Sequence, residues 1–246
     1  MKSFGDELQI AVIGAGGAIG DALVSHMAND ASVGTIYALA RNCIPYLGGQ
    51  IVASPIDIEC EASVSDAAQF VREASRELDI VFVATGILHS GDDLRPEKSW
   101  KMLEATAMAR VFRVNSIGPA LVAKYFLPLL RKNGKSVFAA LSARVGSIED
   151  NRLGGWYAYR ASKAALNMTI KSLSVELARS RPDAVCVALH PGTVNSDLSK
   201  PFQGAVDANV LTAPSDCARN LIRAIDDLSA AESGGFFAYD GSPIPY

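Results

Sequence analysis

Tyr159 and Lys163 stand four residues apart at the head of an apolar, alanine-rich stretch, Trp156-Tyr157-Ala158-Tyr159-Arg160-Ala161-Ser162-Lys163-Ala164-Ala165-Leu166. On a helix, positions i and i+4 lie one above the other on one face. A phenol of ordinary pKa, about 10, is a poor acid or base near neutrality, and an ammonium beside it favours the phenolate. Such a pair can carry a proton to or from a substrate oxygen, the step that alcohol–carbonyl interconversion needs. A tyrosine and a lysine at this spacing can equally be a stacked surface couple. The elements around them decide between the two.

The first of those elements is a strand, Leu8-Gln9-Ile10-Ala11-Val12-Ile13, followed by Gly14-Ala15-Gly16-Gly17-Ala18-Ile19-Gly20 and a helical pattern from Asp21 to Asn29. A strand, a glycine-rich turn and a helix make a dinucleotide-binding unit. The glycines let the backbone approach a pyrophosphate, and the helix N-terminus offers it free N–H groups. The second strand, Thr35 to Ala40, ends at Arg41 with no carboxylate nearby. A carboxylate there would suit the ribose hydroxyls of NAD; an arginine suits a 2′-phosphate, so NADPH is expected, with NAD the alternative.

The stretch Ile51 to Ile58 gives a third short strand and then Asp57, and a fourth strand, Asp79 to Ala84, ends in Thr85-Gly86. Helices are expected over about 63–77, over about 100–132 with a break near Asn115 to Pro119, over about 156–179 and over about 215–228. Further strands are expected at 134–142, closing on Ser142, at 185–190, closed by Pro191-Gly192-Thr193-Val194, and at 235–239. Uniformly apolar strands alternating with helices imply a parallel sheet covered on both faces, with ligands beyond the strands' carboxyl ends. Gly14 to Gly20, Arg41, Asp57 and Thr85-Gly86 all fall at such ends. Asn115 lies in an apolar pattern, so its amide either braces backbone or orders a water, and the pattern favours bracing. His89 reads as an ordinary exposed loop residue.

Composition excludes other classes. The chain has 246 residues, 49% hydrophobic and 20% charged, with a net charge of −3. That fits one α/β domain over residues 1–246 and is not the balance of a disordered chain. No basic cluster points to nucleic acid, and no apolar run is long enough to span a membrane. The four cysteines, Cys43, Cys60, Cys186 and Cys217, are too scattered for a metal or disulfide framework. Reduced thiols in a cytoplasmic protein are expected. The three histidines have no zincin spacing, so no metal is expected.

Taken together, the glycine turn, Asp57, Asn115, the Ser142 strand end, Tyr159-x-x-x-Lys163 and Pro191-Gly192 resemble the short-chain dehydrogenase/reductases over nearly the whole chain. The runs Ser142 to Ile148 and Gly154 to Lys163, with the tail Tyr239-Asp240-Gly241, resemble the C-factor (C-signal-like) and sniffer-type carbonyl reductase branch. The resemblance implies a single Rossmann domain with a doubly wound, seven-stranded parallel sheet. It implies Tyr159 as general acid for reduction of a small ketone or aldehyde, and Lys163 lowering the Tyr159 pKa and holding the nicotinamide ribose. It implies Ser142 on the substrate carbonyl and Asn115 holding a relay water in place of the bracing role. Asp57 and Ile58 would flank the adenine, and Thr193, Val194 and Ser196 would cradle the nicotinamide amide and diphosphate.

The chain departs from that pattern in three places. Ala18 replaces a usual glycine, and Ala84-Thr85-Gly86 replaces Asn-Ala-Gly. Ala143 stands three residues before Gly146, where the family's serine is usual. Ser142, one place earlier, is the preferred carbonyl donor; Ser147 and the absence of any such donor are the alternatives. Ile148, Leu153 and Trp156 suggest an apolar or aromatic substrate, and the short segment 195–213 an open site. A homodimer built on the 100–132 and 159–179 helices is expected. The competing function is a nucleotide-binding signalling protein of the C-factor type with little turnover.

Overall fold

The computed structural model describes all residues except 43, 44, 47, 76, 92 and 206–210. Cys43 and part of the 195–213 segment therefore lie outside the described residues. Seven strands run in the order β3-β2-β1-β4-β5-β6-β9, and every neighbouring pair is parallel. They are β1 (Leu8–Ile13), β2 (Val33–Ala40), β3 (Ile51–Pro55), β4 (Ile80–Val83), β5 (Ser136–Leu141), β6 (Ala184–His190) and β9 (Phe236–Ala238). From β1 the chain steps outward to β2 and β3. It then returns to the other side of β1 and continues through β4, β5 and β6. The reversal leaves a crevice at the carboxyl ends of β1 and β4, where such sheets bind ligands.

The central strands are apolar on both sides because both sides are covered. In β4, Val81 and Val83 pack into one core, while Ile80 and Phe82 pack into the other. The first core is roofed by α2 (Glu61–Ala74), α4 (Gly118–Phe126) and α5 (Tyr157–Leu177), the second by α1 (Ala18–Met27) and α6 (Pro214–Asp227). Burying one such Ile, Val or Phe side chain contributes roughly 1.5–3 kcal/mol. α3 (Ala105–Phe112) sits farther out and joins α5 through Val111 and Ala158.

Several expected boundaries move. The third strand, expected to end before Asp57, stops at Pro55. α2 begins and ends a few residues earlier than expected. The 100–132 region is a 3₁₀ turn, α3, one turn of π-helix over Arg113–Ile117, α4 and a second 3₁₀ turn. A two-stranded ribbon, β7 (Thr193–Val194) with β8 (Leu211–Thr212), carries no signal in so short a sequence. Among the described residues no helix is long and apolar enough to cross a membrane, and no cluster of His, Cys, Asp or Glu could hold a metal ion.

Candidate active site

Strand pleating sets the site. Along β5 and β6, Leu141 and Leu189 face the α1/α6 core, so Ser142, the next residue along, falls on the α5 face. Its hydroxyl donates to Oδ1 of Asn167, one turn beyond Lys163 (2.6 Å), and the residue is buried. Asn167 Nδ2 is buried without a partner. Ser147 is buried as well, and its hydroxyl accepts from the Asp150 amide (3.0 Å), so it is occupied in its own loop.

The π turn places Asn115. Its Oδ1 accepts from Ile87 N (2.8 Å), and its Nδ2 donates to Ile87 O (2.9 Å) and to Ser162 Oγ (3.1 Å). Ser116 Oγ donates to Ser162 O (2.7 Å). The residue-level expectation of a brace is therefore met. The two side chains tie the turn after β4 to α5, and that turn lacks the family's asparagine at position 84. One-turn π segments of this kind often mark functional positions.

α5 starts without a side-chain cap, on Trp156 at φ 50°, a left-handed conformation unusual for a bulky residue. Buried Glu97 takes the place of a cap. Its carboxylate accepts from Ala158 N (3.2 Å to the nearer oxygen), and its carbonyl accepts from Trp156 N. A carboxylate suits the positive end of the helix dipole. These contacts fix Tyr159 and Lys163 in the first two turns of α5, both buried, with the lysine ammonium 5.9 Å from the tyrosine ring centre.

The electrostatics of the pair correct one expectation. Lys163 was expected to lower the tyrosine pKa; instead burial pushes Tyr159 up to about 12. Burial also pulls Lys163 down to about 8, and its amine donates to Leu141 O (2.8 Å). Among the described residues the Tyr159 hydroxyl has no hydrogen-bond partner. It therefore holds its proton throughout the neutral range, the state a general acid requires.

A cavity of about 740 Å³ follows the carboxyl edge of the sheet. Gly14, Gly16 and Gly17 border it after β1, Arg41 after β2, Asp57 and Ile58 after β3, and Ala84, Thr85 and Gly86 after β4. The residues fit a dinucleotide. Gly14 has φ 91°, and a Cβ on it would fall 2.9 Å from Thr85 Cγ2. Gly17 caps α1 with no side chain, leaving first-turn amides for an anion. Thr85 Oγ1 is buried in that wall without a partner. Arg41 is exposed and makes no ion pair among the described residues. Ala18 and Ile19 open α1 beside the cavity rather than lining it. Gly20 is there for packing, since a Cβ on it would stand 2.1 Å from Gly14 O.

The cavity stops at Gly86–Ser90 and does not include Tyr159 or Lys163. Lys163 Nζ nevertheless lies 3.6 Å from where a Cβ on Gly86 would be, so the pair adjoins its end. Gly192, at φ 79°, faces the Tyr239 ring after Pro191. Thr193 and Val194 form β7, and Ser196 Oγ donates to Val194 O (3.3 Å). Two substrate-side expectations change. Ile148 and Leu153 point into solvent, at 77% and 90% exposure, and of the three apolar residues only Trp156 reaches the site. His89, expected to be an ordinary exposed loop residue, lines the cavity and donates from Nε2 to Asp197 O (3.0 Å). No local pattern could have shown this, because its partner is 108 residues away.

A doubly wound parallel sheet, a glycine turn at its switch point and a buried tyrosine–lysine pair at the same edge define a nucleotide-dependent α/β enzyme. The family model for short chain dehydrogenases matches residues 9–206. The chain belongs to the short-chain dehydrogenase family and is an NAD(P)-dependent oxidoreductase. It is 44% identical to C-signal of Myxococcus xanthus over 140 residues, 56% of this chain and 78% of that protein. It is 34% identical to 1-hydroxy-2-glutathionyl-2-methyl-3-butene dehydrogenase of a Rhodococcus species over 195 residues, 79% of this chain and 80% of that one. In fold it resembles the carbonyl reductase Sniffer of D. melanogaster, with a TM-score of 0.83 at 24% identity, covering 97% of this chain and 99% of the other. NADPH-bound carbonyl reductase from chicken fatty liver superposes with the same score and identity, covering 99% of this chain and 100% of that one.

Proposed function

We propose that the protein reduces a small ketone or aldehyde with NADPH, Tyr159 delivering the proton to the substrate oxygen. The observation that carries this reading is a buried, unpartnered phenol held beside a buried lysine at the end of a glycine-bordered cavity. The nicotinamide, when bound, supplies the hydride. Lys163 supplies positive charge beside the phenol as its proton leaves and binds the ribose. Asn115 keeps the turn after β4 against α5 and holds the relay water. Asp57 and Ile58 flank the adenine; Gly14 to Gly20, Ala84 to Gly86 and Pro191 to Ser196 cradle the rest. The complete tyrosine, lysine and asparagine set supports an enzyme over a signalling protein without turnover. A cytoplasmic homodimer is part of the same proposal, and a light-scattering mass equal to one chain would remove the dimer from it.

Ser142 can serve the carbonyl if the Asn167 amide is turned over. Nδ2 then donates to Ser142 Oγ, and the serine proton is free for the substrate. Oxygen and nitrogen of an amide are assigned from such networks, and either setting leaves one Asn167 atom unpartnered. Ser142→Ala is expected to lower kcat by roughly 10²-fold, the scale of a lost oxyanion donor. A change in thermal stability with kcat intact would reduce Ser142 to a brace.

Arg41 is the phosphate reader in this account. A guanidinium–phosphate hydrogen bond contributes about 1.5–3 kcal/mol, so Arg41→Ala should weaken NADPH binding by about 10- to 100-fold and leave NADH unchanged. Fluorescence titration with both nucleotides measures this, and equal losses for the two would refute the NADPH preference.

A further inference from the structure

Three aromatic rings from three separate segments gather beside Tyr159. Trp156 meets Tyr159 edge to face, with ring centres 6.3 Å apart. Phe202, on the segment after β7, lies against Trp156 at 5.0 Å with the planes tilted by 59°. His89 meets Phe202 edge-on at 5.8 Å. Such separations and tilts are the ones aromatic pairs favour. The arrangement is not incidental packing, since Trp156 is held in a left-handed backbone conformation by buried Glu97. Strain of that kind persists only where surrounding contacts enforce it. His89 is fixed too, through its bond to Asp197 O, five residues before Phe202 in the chain.

The same segment comes against Gly86, in the cavity wall nearest Lys163. Leu198 Cδ1 lies 4.0 Å from where a Cβ on Gly86 would be, beside Lys163 Nζ at 3.6 Å. Phe202 places a phenyl ring between the imidazole of His89 and the indole of Trp156, beside Tyr159.

We propose that Phe202 stands in for the substrate, and that the site between His89 and Trp156 is a subsite for a planar aromatic ring attached to the reacting carbonyl. The assignment of the carbonyl rests on the function proposed above; the ring subsite does not. A substrate ring displaces Phe202 and takes over its edge contacts with the indole and the imidazole. A straight-chain or saturated carbonyl compound has the hydrophobicity but not the quadrupole to replace them. Trp156, His89 and Phe202 are then the residues that set specificity.

The test uses two amides that cannot be reduced at this site, naphthalene-2-carboxamide and cyclohexanecarboxamide, titrated calorimetrically into wild-type protein and Phe202→Ala. Removing the internal competitor should tighten the naphthyl amide by about 10-fold and leave the cyclohexyl amide unchanged. Phe202→Leu, which keeps apolar bulk without a ring, should fall between them and shows that the loop still folds. Weaker naphthyl binding in Phe202→Ala, or equal effects on both amides, would overturn the proposal by making Phe202 a wall or a mere plug. The two readings fail separately. Selective naphthyl binding without NADPH oxidation would refute the reductase and keep the subsite. Reduction of cyclohexyl and naphthyl aldehydes at equal kcat/KM, with unselective binding, would keep the reductase and refute the subsite.

Discussion

Tyr159→Phe should remove roughly 10³-fold of the carbonyl turnover while leaving NADPH affinity within about twofold, the scale of a lost general acid. The substitution deletes one oxygen. That oxygen has no hydrogen-bond partner among the described residues, and the aromatic contact with Trp156 survives because it is made by the ring. Thermal stability should therefore stay within about 0.5 kcal/mol, as for a change that creates neither a cavity nor an unpaired group. Single-turnover measurement with saturating NADPH separates the chemical step from binding. Retained turnover would transfer the acid role to another group and end the mechanism proposed here. Turnover and nucleotide affinity lost together would mean that the phenol organises the site instead.

Lys163→Met should lower activity by a similar order and yet raise stability at neutral pH. Burial has pulled the lysine from 10.5 to about 8. Keeping it protonated in the folded state below that value costs about 3 kcal/mol, since each unit is about 1.4 kcal/mol. Methionine fills similar volume without the charge, but it leaves Leu141 O without its donor, a loss of about 1–2 kcal/mol. The net gain at pH 7 is about 1–2 kcal/mol, or roughly 2–8 °C in a chain of this size. The sign follows from proton binding. Between pH 8 and 10.5 the unfolded wild-type lysine holds a proton that the folded one has released, so wild-type stability rises with pH across this window. The advantage of the methionine variant is therefore full below pH 8, gone by about pH 9.5, and reversed by about pH 10.5, where only the lost hydrogen bond remains. Denaturant unfolding at pH 7 and pH 10 measures it. A variant less stable than wild type at pH 7 would mean that the buried amine is a net structural anchor.

The sheet was legible because its code is local. Five apolar residues among the six from Leu8 to Ile13, followed by glycines and a helical pattern, permit little else, and β1 falls on the expected residues. Arg41, Asp57 and Thr85 could be placed at one edge because strands of a parallel sheet all end on the same side. Asn115 was readable as a brace from its polarity within an apolar pattern, though not which backbone group it would hold. What the sequence concealed depends on burial and long-range pairing. The direction of the Tyr159 shift reverses because burial of the phenol, which no residue spacing reveals, disfavours its charged form. The engagement of Ser142 with Asn167 needs the pleat of β5 and the phase of α5 together. His89 and Phe202 are separated by more than a hundred residues and meet only when the segment after β7 folds back over β4. Ile148 and Leu153 show the converse, apolar residues of a loop that face solvent, as isolated surface hydrophobics commonly do.

The most direct test of the central claim is to follow nicotinamide absorbance when a panel of aromatic and aliphatic aldehydes and ketones is added to the purified protein with NADPH, and in parallel with NADH. The account predicts oxidation above background, faster with NADPH, fastest with a planar aromatic aldehyde, and absent with Tyr159→Phe. NADPH that binds but is not oxidised by any member of the panel, or oxidation equally fast in Tyr159→Phe, would contradict it.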